Sequence, residues 1–343
     1  MKVWELHSTQ KRSSLAGRLV VLFVVLIIGS VNLRAQPSGY LFYKMVTING
    51  TEVQGTHTDF PVLIRVTDSD LSAYARNDGF DIVFTSNFNE TNILDFQLES
   101  YNSGTGELIA WVKIPSLPDA GTTIYMWYGN GSITSNQSTT NTWSNQFRTV
   151  YHLGNDFSDS TPNNNNGTDS GTNSVTGKIG NASNFDGNAD YIAINDSYNS
   201  NSESETTVSA WIKTAQAGNQ IIASFDRNEY WRLEVNGNGG GDGEIGWDLL
   251  TSGGQIDFGS STRIDDDTWR YVTGVYNNGS VEIYIDGILD ASTTQGATFG
   301  TGNTRFGFVG VGSEASTFDG NQGPSNNFNG DIDEFRISDV ARN

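Results

Sequence analysis

The sequence contains no cysteine. That excludes disulfides, thiolate metal sites and a cysteine nucleophile, so stability must come from buried surface, aided or not by a bound metal. Histidine is nearly as scarce: beyond residue 35 only His57 and His152 remain, which leaves catalytic triads and histidine-rich metal sites hard to build. There is no G-x-S-x-G elbow, no G-x-x-x-x-G-K-[ST] phosphate loop and no H-E-x-x-H. "GDGEIG" at Gly241 to Gly246 matches G-x-G-x-x-G by count but lacks a strand-to-helix context, and its Asp242-Gly243 reads as a hairpin turn. Basic residues are few. Five of the 19 Lys and Arg and one of the 39 Asp and Glu fall in residues 1–35, leaving 14 against 38 and a net charge of −24. A surface that acidic repels phosphate backbones and anionic lipids, so nucleic acid and membrane-surface partners are not expected.

Residues 1–35 read as a signal peptide. Lys11, Arg12 and Arg18 precede the apolar run "LVVLFVVLII" from Leu19 to Ile28, and Ala35 follows; an uncleaved anchor is the alternative, since Leu33 and Arg34 make an imperfect cleavage site. Export without disulfides fits a secreted or bacterial cell-surface protein.

After the leader, long apolar runs of helical period are absent, and short alternating runs separated by Gly, Asn and Asp take their place. The expected fold is all-β. Strands are read at "YLFYKMVTI", "FPVLIRV", "DIVFT", "LDFQLES", "ELIAWVKI" and "TIYMWYG", forming one sandwich over residues 37–130. The polar stretch at 131–146 reads as a linker, and 147–343 as a second sandwich. Its firmest part is "WRYVTGVYNNGSVEIYIDGILDAS", three strands joined by Asn278-Gly279 and Asp286-Gly287 turns.

The pieces "DSTPNNNNGT", "GKIGNASNFDGNADYI", "TVSAWIKT", "WRYVTGVYNNGSVEIYIDG" and "FNGDIDEFRISDVAR" make the second part resemble the LamG-like, concanavalin A-like jelly roll of extracellular proteins. The first part, through "DFPVLIRVTDSDLSAYARNDGFDIVFT", "LESYNSGTGELIAWVKIPSL" and "TIYMWYGN", resembles a domain-of-unknown-function family often placed before such a jelly roll in exported bacterial proteins. Relatives usually continue past the strand ending near Ile337, so the chain reads as a fragment of a longer surface protein. The resemblance implies carbohydrate or glycoprotein ligands. The same fold hosts glycoside hydrolases, whose retaining lineage sets its carboxylates on one strand beginning E-x-D; no E-x-D triplet occurs here.

With oxygen ligands in excess, the expected metal is Ca²⁺. The candidate ligands are Asp159 in the "DSTPNNNNGT" loop, Asp186 in the "FDGNAD" turn, and Asp331 and Asp333 on the closing strand, which a jelly roll could bring to one rim. Strict alternation puts Asp333 on the face of Phe335 and Ile337, so its charge must be met by calcium or by hydrogen bonds, or else a bulge at Gly330 turns it to solvent. Trp211, Tyr230, Trp231 and Trp247 are the candidate sugar platforms, against the alternative that each is sandwich core. The sequence therefore predicts a non-catalytic binding or adhesion protein for a glycan or glycoprotein, with a structural spacer as the alternative and a glycoside hydrolase third.

Overall fold

A computed structural model describes residues 36–342, except 217 and 238. The signal segment lies outside the described residues. Among those residues, no helix is long and apolar enough to cross a membrane. The chain divides between Asn145 and Gln146 into two compact units.

The amino-terminal unit holds β1 (Phe42–Asn49), β2 (His57–Thr67), α1 (Ser69–Tyr74), β3 (Val83–Thr85), β4 (Phe96–Asn102), β5 (Glu107–Leu117) and β6 (Gly121–Tyr128). They form two three-stranded sheets, ordered β1-β6-β3 and β2-β5-β4. In β1, Lys44, Val46 and Ile48 are buried while Met45, Thr47 and Asn49 are exposed, which is the two-residue period of a half-buried strand. Val46 pairs with Ile124, and Val62, Ile64, Ala110 and Val112 complete one core between the sheets. The one short helix was not foreseen. Asp68 caps it, its Oδ1 accepting from the Asp70 N–H at 2.8 Å.

The stretch read as a linker is no linker over its second half. Thr140–Trp143 forms a 3₁₀ turn, and Trp143 is fully buried with its ring 5.2 Å from that of Trp111 and its Nε1 donating to Gln97 Oε1 at 2.5 Å. Polar composition concealed one buried indole.

The carboxy-terminal unit holds β7 (Phe147–Tyr151), β8 (Gly167–Ser170), β9 (Asn173–Thr176), β10 (Asn181–Asp186), β11 (Tyr191–Tyr198), β12 (Glu205–Lys213), β13 (Gln220–Ser224), β14 (Trp231–Val235), β15 (Ile245–Thr251), β16 (Gly254–Gly259), β17 (Arg270–Asn277), β18 (Ser280–Ile285), β19 (Ile288–Thr294), β20 (Arg305–Val309) and β21 (Asn329–Ser338). One sheet runs β19-β18-β17-β12-β21-β10-β9, with β7 also on β21, and the other runs β16-β15-β14-β13-β20-β11-β8. All pairings are antiparallel, as a jelly-roll sandwich requires. The turns at Asn278-Gly279 and Asp286-Gly287 have positive φ at both positions, the geometry that suits right-twisted hairpins.

Between the sheets, Trp231 and Trp247 lie 5.6 Å apart with Tyr230, Phe335 and Ile337 in the same core. At Gly274 the sheets approach closely: a Cβ there would sit 2.6 Å from the Trp247 ring. Trp247 also donates its indole N–H to the Val275 carbonyl at 3.2 Å. Replacing it leaves a large void that the opposed sheets cannot close. Trp247→Ala is expected to cost about 4 kcal/mol of unfolding free energy, read by urea denaturation.

Candidate functional site

Three of the four expected sugar platforms are core. Tyr230, Trp231 and Trp247 are wholly buried, so no ligand ring reaches them. The reason is phase: in β14 and β15 the inward set is Trp231, Leu233 and Val235 facing Ile245, Trp247 and Leu249, and Tyr230 turns its hydroxyl to the carbonyls of Ser200 and Asn303. Trp211 does sit on the outer, more polar face as its sequence neighbours imply. There it is only 6% exposed, with the Tyr271 ring 5.3 Å away and the Lys178 ammonium 4.7 Å above it.

The four expected metal ligands are dispersed. Asp159 accepts from Val150 N–H, Thr161 N–H, Thr161 Oγ1 and Asn165 N–H at 2.7 to 3.0 Å, so its carboxylate is filled by β7 and its own loop. Asp186 is exposed and accepts from the N–H groups of Asn188 and Ala189, which hold its carboxyl below the usual range. Asp331 accepts from Asn184 Nδ2 at 2.7 Å. Asp333 is fully buried, and its Oδ2 accepts from the Ile179 N–H at 2.8 Å. Among the described residues, no set of three acid or histidine ligand atoms within 4.8 Å of one another includes any of the four. They do not fit one shared ion.

Asp333 also leaves the face assigned to it by alternation. Ile332 pairs with Ile212 and Asp333 with Trp211, but Arg336 pairs with Ser209, so Ala210 alone opposes both Glu334 and Phe335. That is a β-bulge, with Glu334 at φ +52. It lets Ile332 and Phe335 both point inward although they are three residues apart, and it turns Asp333 outward. The bulge is at Glu334 and not at Gly330. Glu334 itself is buried; burial pushes its carboxyl up, but His152, whose Nδ1 lies 2.7 Å away, and Arg336 outweigh this and hold it below its ordinary value.

A second carboxylate group lies outward on the other sheet. Arg232 pairs with Asp248 across β14 and β15, and Glu234 is two residues along. Arg232 Nε is 2.7 Å from Glu234, Arg232 Nη2 is 3.3 Å from Asp248, and Arg227 bridges Asp248 and Asp257 at 3.3 and 3.2 Å. Desolvation, then the charge and hydrogen bond of Glu234, push the Asp248 carboxyl up to about 8. Glu234 and Asp248 are 1% and 0% exposed, so this pair is a part of the fold closed to a substrate.

An accessible concavity lies elsewhere, at the edge formed by β18 and β19. Val281, Ile283 and Ile285 point into the core, so Ser280, Glu282 and Tyr284 point out. Their cross-strand partners are Thr294, Ser292 and Leu289, with a register shift at Ile283/Tyr284 that keeps all six on one face. They line an open depression of about 580 Å³ together with Thr293. Glu282 is fixed by Ser280 Oγ on one oxygen and the Tyr284 hydroxyl on the other, both at 2.7 Å. A second depression, of about 490 Å³, shares Ser280 and Thr294 and continues past Asn277, Asn278 and Gln295. The result is a trough with a ring and an aliphatic chain at one end and amides at the other. Sequence reading placed these strands correctly but ranked tryptophans above Tyr284; the outward parity of Glu282 and Tyr284 was the available signal.

Two family matches divide the chain. Residues 186–343 match the family described as the concanavalin A-like lectin/glucanases superfamily. Residues 78–174 match a domain of unknown function, DUF2341. Both resemblances carried by the sequence motifs are thereby met. No curated protein matches the chain. Solved structures similar to it include domain 4 of AbnA, an extracellular arabinanase from Geobacillus stearothermophilus, in complex with arabinotriose, at 23% identity and a TM-score of 0.45 over 58% of this chain and 94% of that one. The receptor-binding domain of a botulinum neurotoxin C/D mosaic serotype is similar at 18% identity and a TM-score of 0.39, over 58% of this chain and 49% of that one. A heptameric SAP-like pentraxin from Limulus polyphemus is similar at 15% identity and a TM-score of 0.35, over 47% and 76%.

Two outcomes test these assignments. Asp159→Ala leaves four donors without their acceptor and is expected to cost about 3 kcal/mol in urea denaturation, by the same amount in calcium and in chelator. Asp248 holds its proton in the fold at pH values where the unfolded chain has lost it. Its contribution to stability is therefore complete below the ordinary carboxyl range, declines as pH rises, and is gone above about 8. Asp248→Asn is expected to flatten the stability profile between pH 4 and 8, measured by denaturation at a series of pH values.

Proposed function

We propose that the carboxy-terminal unit is a non-catalytic carbohydrate-binding module and that its ligand lies in the β18–β19 trough. One observation carries this reading: three cross-strand pairs, Ser280 with Thr294, Glu282 with Ser292 and Tyr284 with Leu289, put hydroxyls, a fixed carboxylate and an aromatic ring on one open face. Sugars need that combination, because their C–H faces pack on aromatic and aliphatic surface while their hydroxyls exchange hydrogen bonds with acceptors and donors at the rim. The continuation of the trough past Asn278 favours an oligosaccharide or the glycan of a glycoprotein over a single ring. The match of residues 186–343 to a superfamily described by lectins and glucanases supports the ligand class.

Non-catalytic action is supported by the absent E-x-D triplet and by the burial of Glu234 and Asp248, which share Arg232 on an outer face. With residues 1–35 read as a secretory leader and a net charge of −24 beyond them, the chain acts in this reading outside a bacterial cell, in adhesion or glycan capture. The spacer reading has no observation of its own in its favour.

Glycan-array screening followed by titration calorimetry tests the trough. Tyr284→Ala is expected to weaken the best array ligand by about tenfold or more, which is 1.4 kcal/mol, with the melting temperature little changed. Equal affinity in that variant, or an array without a ligand, would remove the assignment.

A further inference from the structure

The amino-terminal unit buries a lysine. The alternation that sends Val46 and Ile48 of β1 inward sends Lys44 inward as well, opposite Met126 of β6, and its side chain is 7% exposed. An ammonium there has lost its water and must be met by charge. Two carboxylates meet it. Nζ donates to Asp68 Oδ2, and Asp70 Oδ2 lies 3.1 Å away. Asp68 cannot swing aside, because its other oxygen caps α1 through the Asp70 N–H.

The surroundings are aromatic. Phe42 stacks on Tyr74 at 4.3 Å and on Tyr128 at 5.6 Å. Burial, Asp70 and Asp68 together push the Tyr128 phenol above its usual pKa, so a neutral hydroxyl faces the two acids. One carboxylate is enough to balance one ammonium. Here a second acid is within hydrogen-bond reach of the same nitrogen, and that is the set a condensation needs: an amine, a carboxyl carbon beside it, and a group to carry protons between them.

We propose that Lys44 and Asp68 condense without any enzyme to an intramolecular amide, with Asp70 as the proton carrier. A proton first passes from Nζ to the Asp68 carboxylate along the hydrogen bond already made. The neutral amine then adds to Cγ of Asp68, forming the N–C bond. Asp70 takes a proton from that nitrogen and delivers it to a hydroxyl on Cγ, the C–O bond breaks, and one water leaves. An ammonium and a carboxylate become an amide and a water, so the balance needs neither oxidant nor cofactor. Burial of the lysine keeps bulk water away from the reacting groups and favours the loss of the water released. The bond would tie β1 to the first turn of α1 and close the loop through β2, the kind of link that restricts the unfolded chain. A chain with no cysteine has no other covalent tie between side chains.

Mass spectrometry of the full chain, unfolded and digested with trypsin, reads this directly. The expected product is uncut after Lys44 and carries residues 66–76 as a branch, lighter by one water than its parts. Lys44→Arg and Asp68→Ala abolish the branched peptide, and Asp70→Asn lowers its yield at fixed time by about tenfold or more. Cleavage after Lys44 in the unsubstituted chain, with residues 66–76 recovered as a free peptide, overturns the proposal, and no misfolding of a variant can obscure that result. An undiminished yield in Asp70→Asn would overturn the role given to Asp70.

Discussion

The carboxy-terminal unit depends on its last strand. β21 is hydrogen-bonded to β12 on one side and to β10 and β7 on the other, so the final ten-residue strand runs through the middle of its sheet. It also supplies Ile332, Phe335 and Ile337 to the core. Neither sheet can therefore close on a complete apolar layer until the end of the chain is in place. β7 meets β21 across nearly the full length of the unit, and contacts of such sequence separation make folding slow and all-or-none. The bulge at Glu334 is what reconciles this strand with both tasks. Without the extra residue, either Ile332 or Phe335 would face outward.

Interior charge follows one rule in both units: each buried acid or base is held by named partners. Asp81 accepts from three backbone N–H groups, of Arg76, Gly129 and Asn130, at 2.8 to 3.0 Å. Its charge, with burial, pushes the nearby Tyr40 phenol up to about 12. Asp159 is satisfied by Val150 of β7 and by three donors of its own loop, Glu334 by His152 and Arg336, and Lys44 by Asp68 and Asp70. Partners of this kind specify one arrangement of loops, since a shifted loop would strand a charge in the interior. Such partners also account for the order of a stretch as polar as "DSTPNNNNGT": the asparagines and Thr161 are the scaffold of Asp159, and Asn165 also reaches the Arg148 carbonyl at 2.9 Å.

Much of this was legible beforehand, and the failures share a cause. The all-β class, the two sandwiches and the hairpins at Asn278-Gly279 and Asp286-Gly287 follow from two-residue alternation and from turn residues that accept positive φ. Assigning a face to each side chain needs unbroken alternation, and bulges break it. Asp333 was misplaced because Glu334 adopts a left-handed conformation that nothing in "GDIDEF" announces. β15 went unread because glycines surround it, and with it the inward direction of Trp247. Lys44 shows the opposite case. No bulge intervenes between Phe42 and Ile48, so a lysine in phase with Val46 and Ile48 was visible as a buried amine from the sequence alone.

The position of the trough follows from the same mechanics. Central strands of a sandwich face their neighbours with side chains already committed to the core or to outer ionic pairs such as Arg232 with Glu234. An edge hairpin is freer. β19 has one unpaired side, and there the chain tolerates Ile288 at 72% and Leu289 at 50% exposure, apolar surface that an acidic, strongly charged protein can display without self-association. The shift of register between Ile283 and Tyr284 then sets Leu289 beside the tyrosine ring in place of Asp290, whose carboxylate instead accepts from Ser261 and Thr262. A single irregularity thus removes an acid from the trough and puts an aliphatic wall there. That exchange leaves one end of the trough apolar while Glu282 keeps a carboxylate at its middle, the combination on which the proposed sugar site rests.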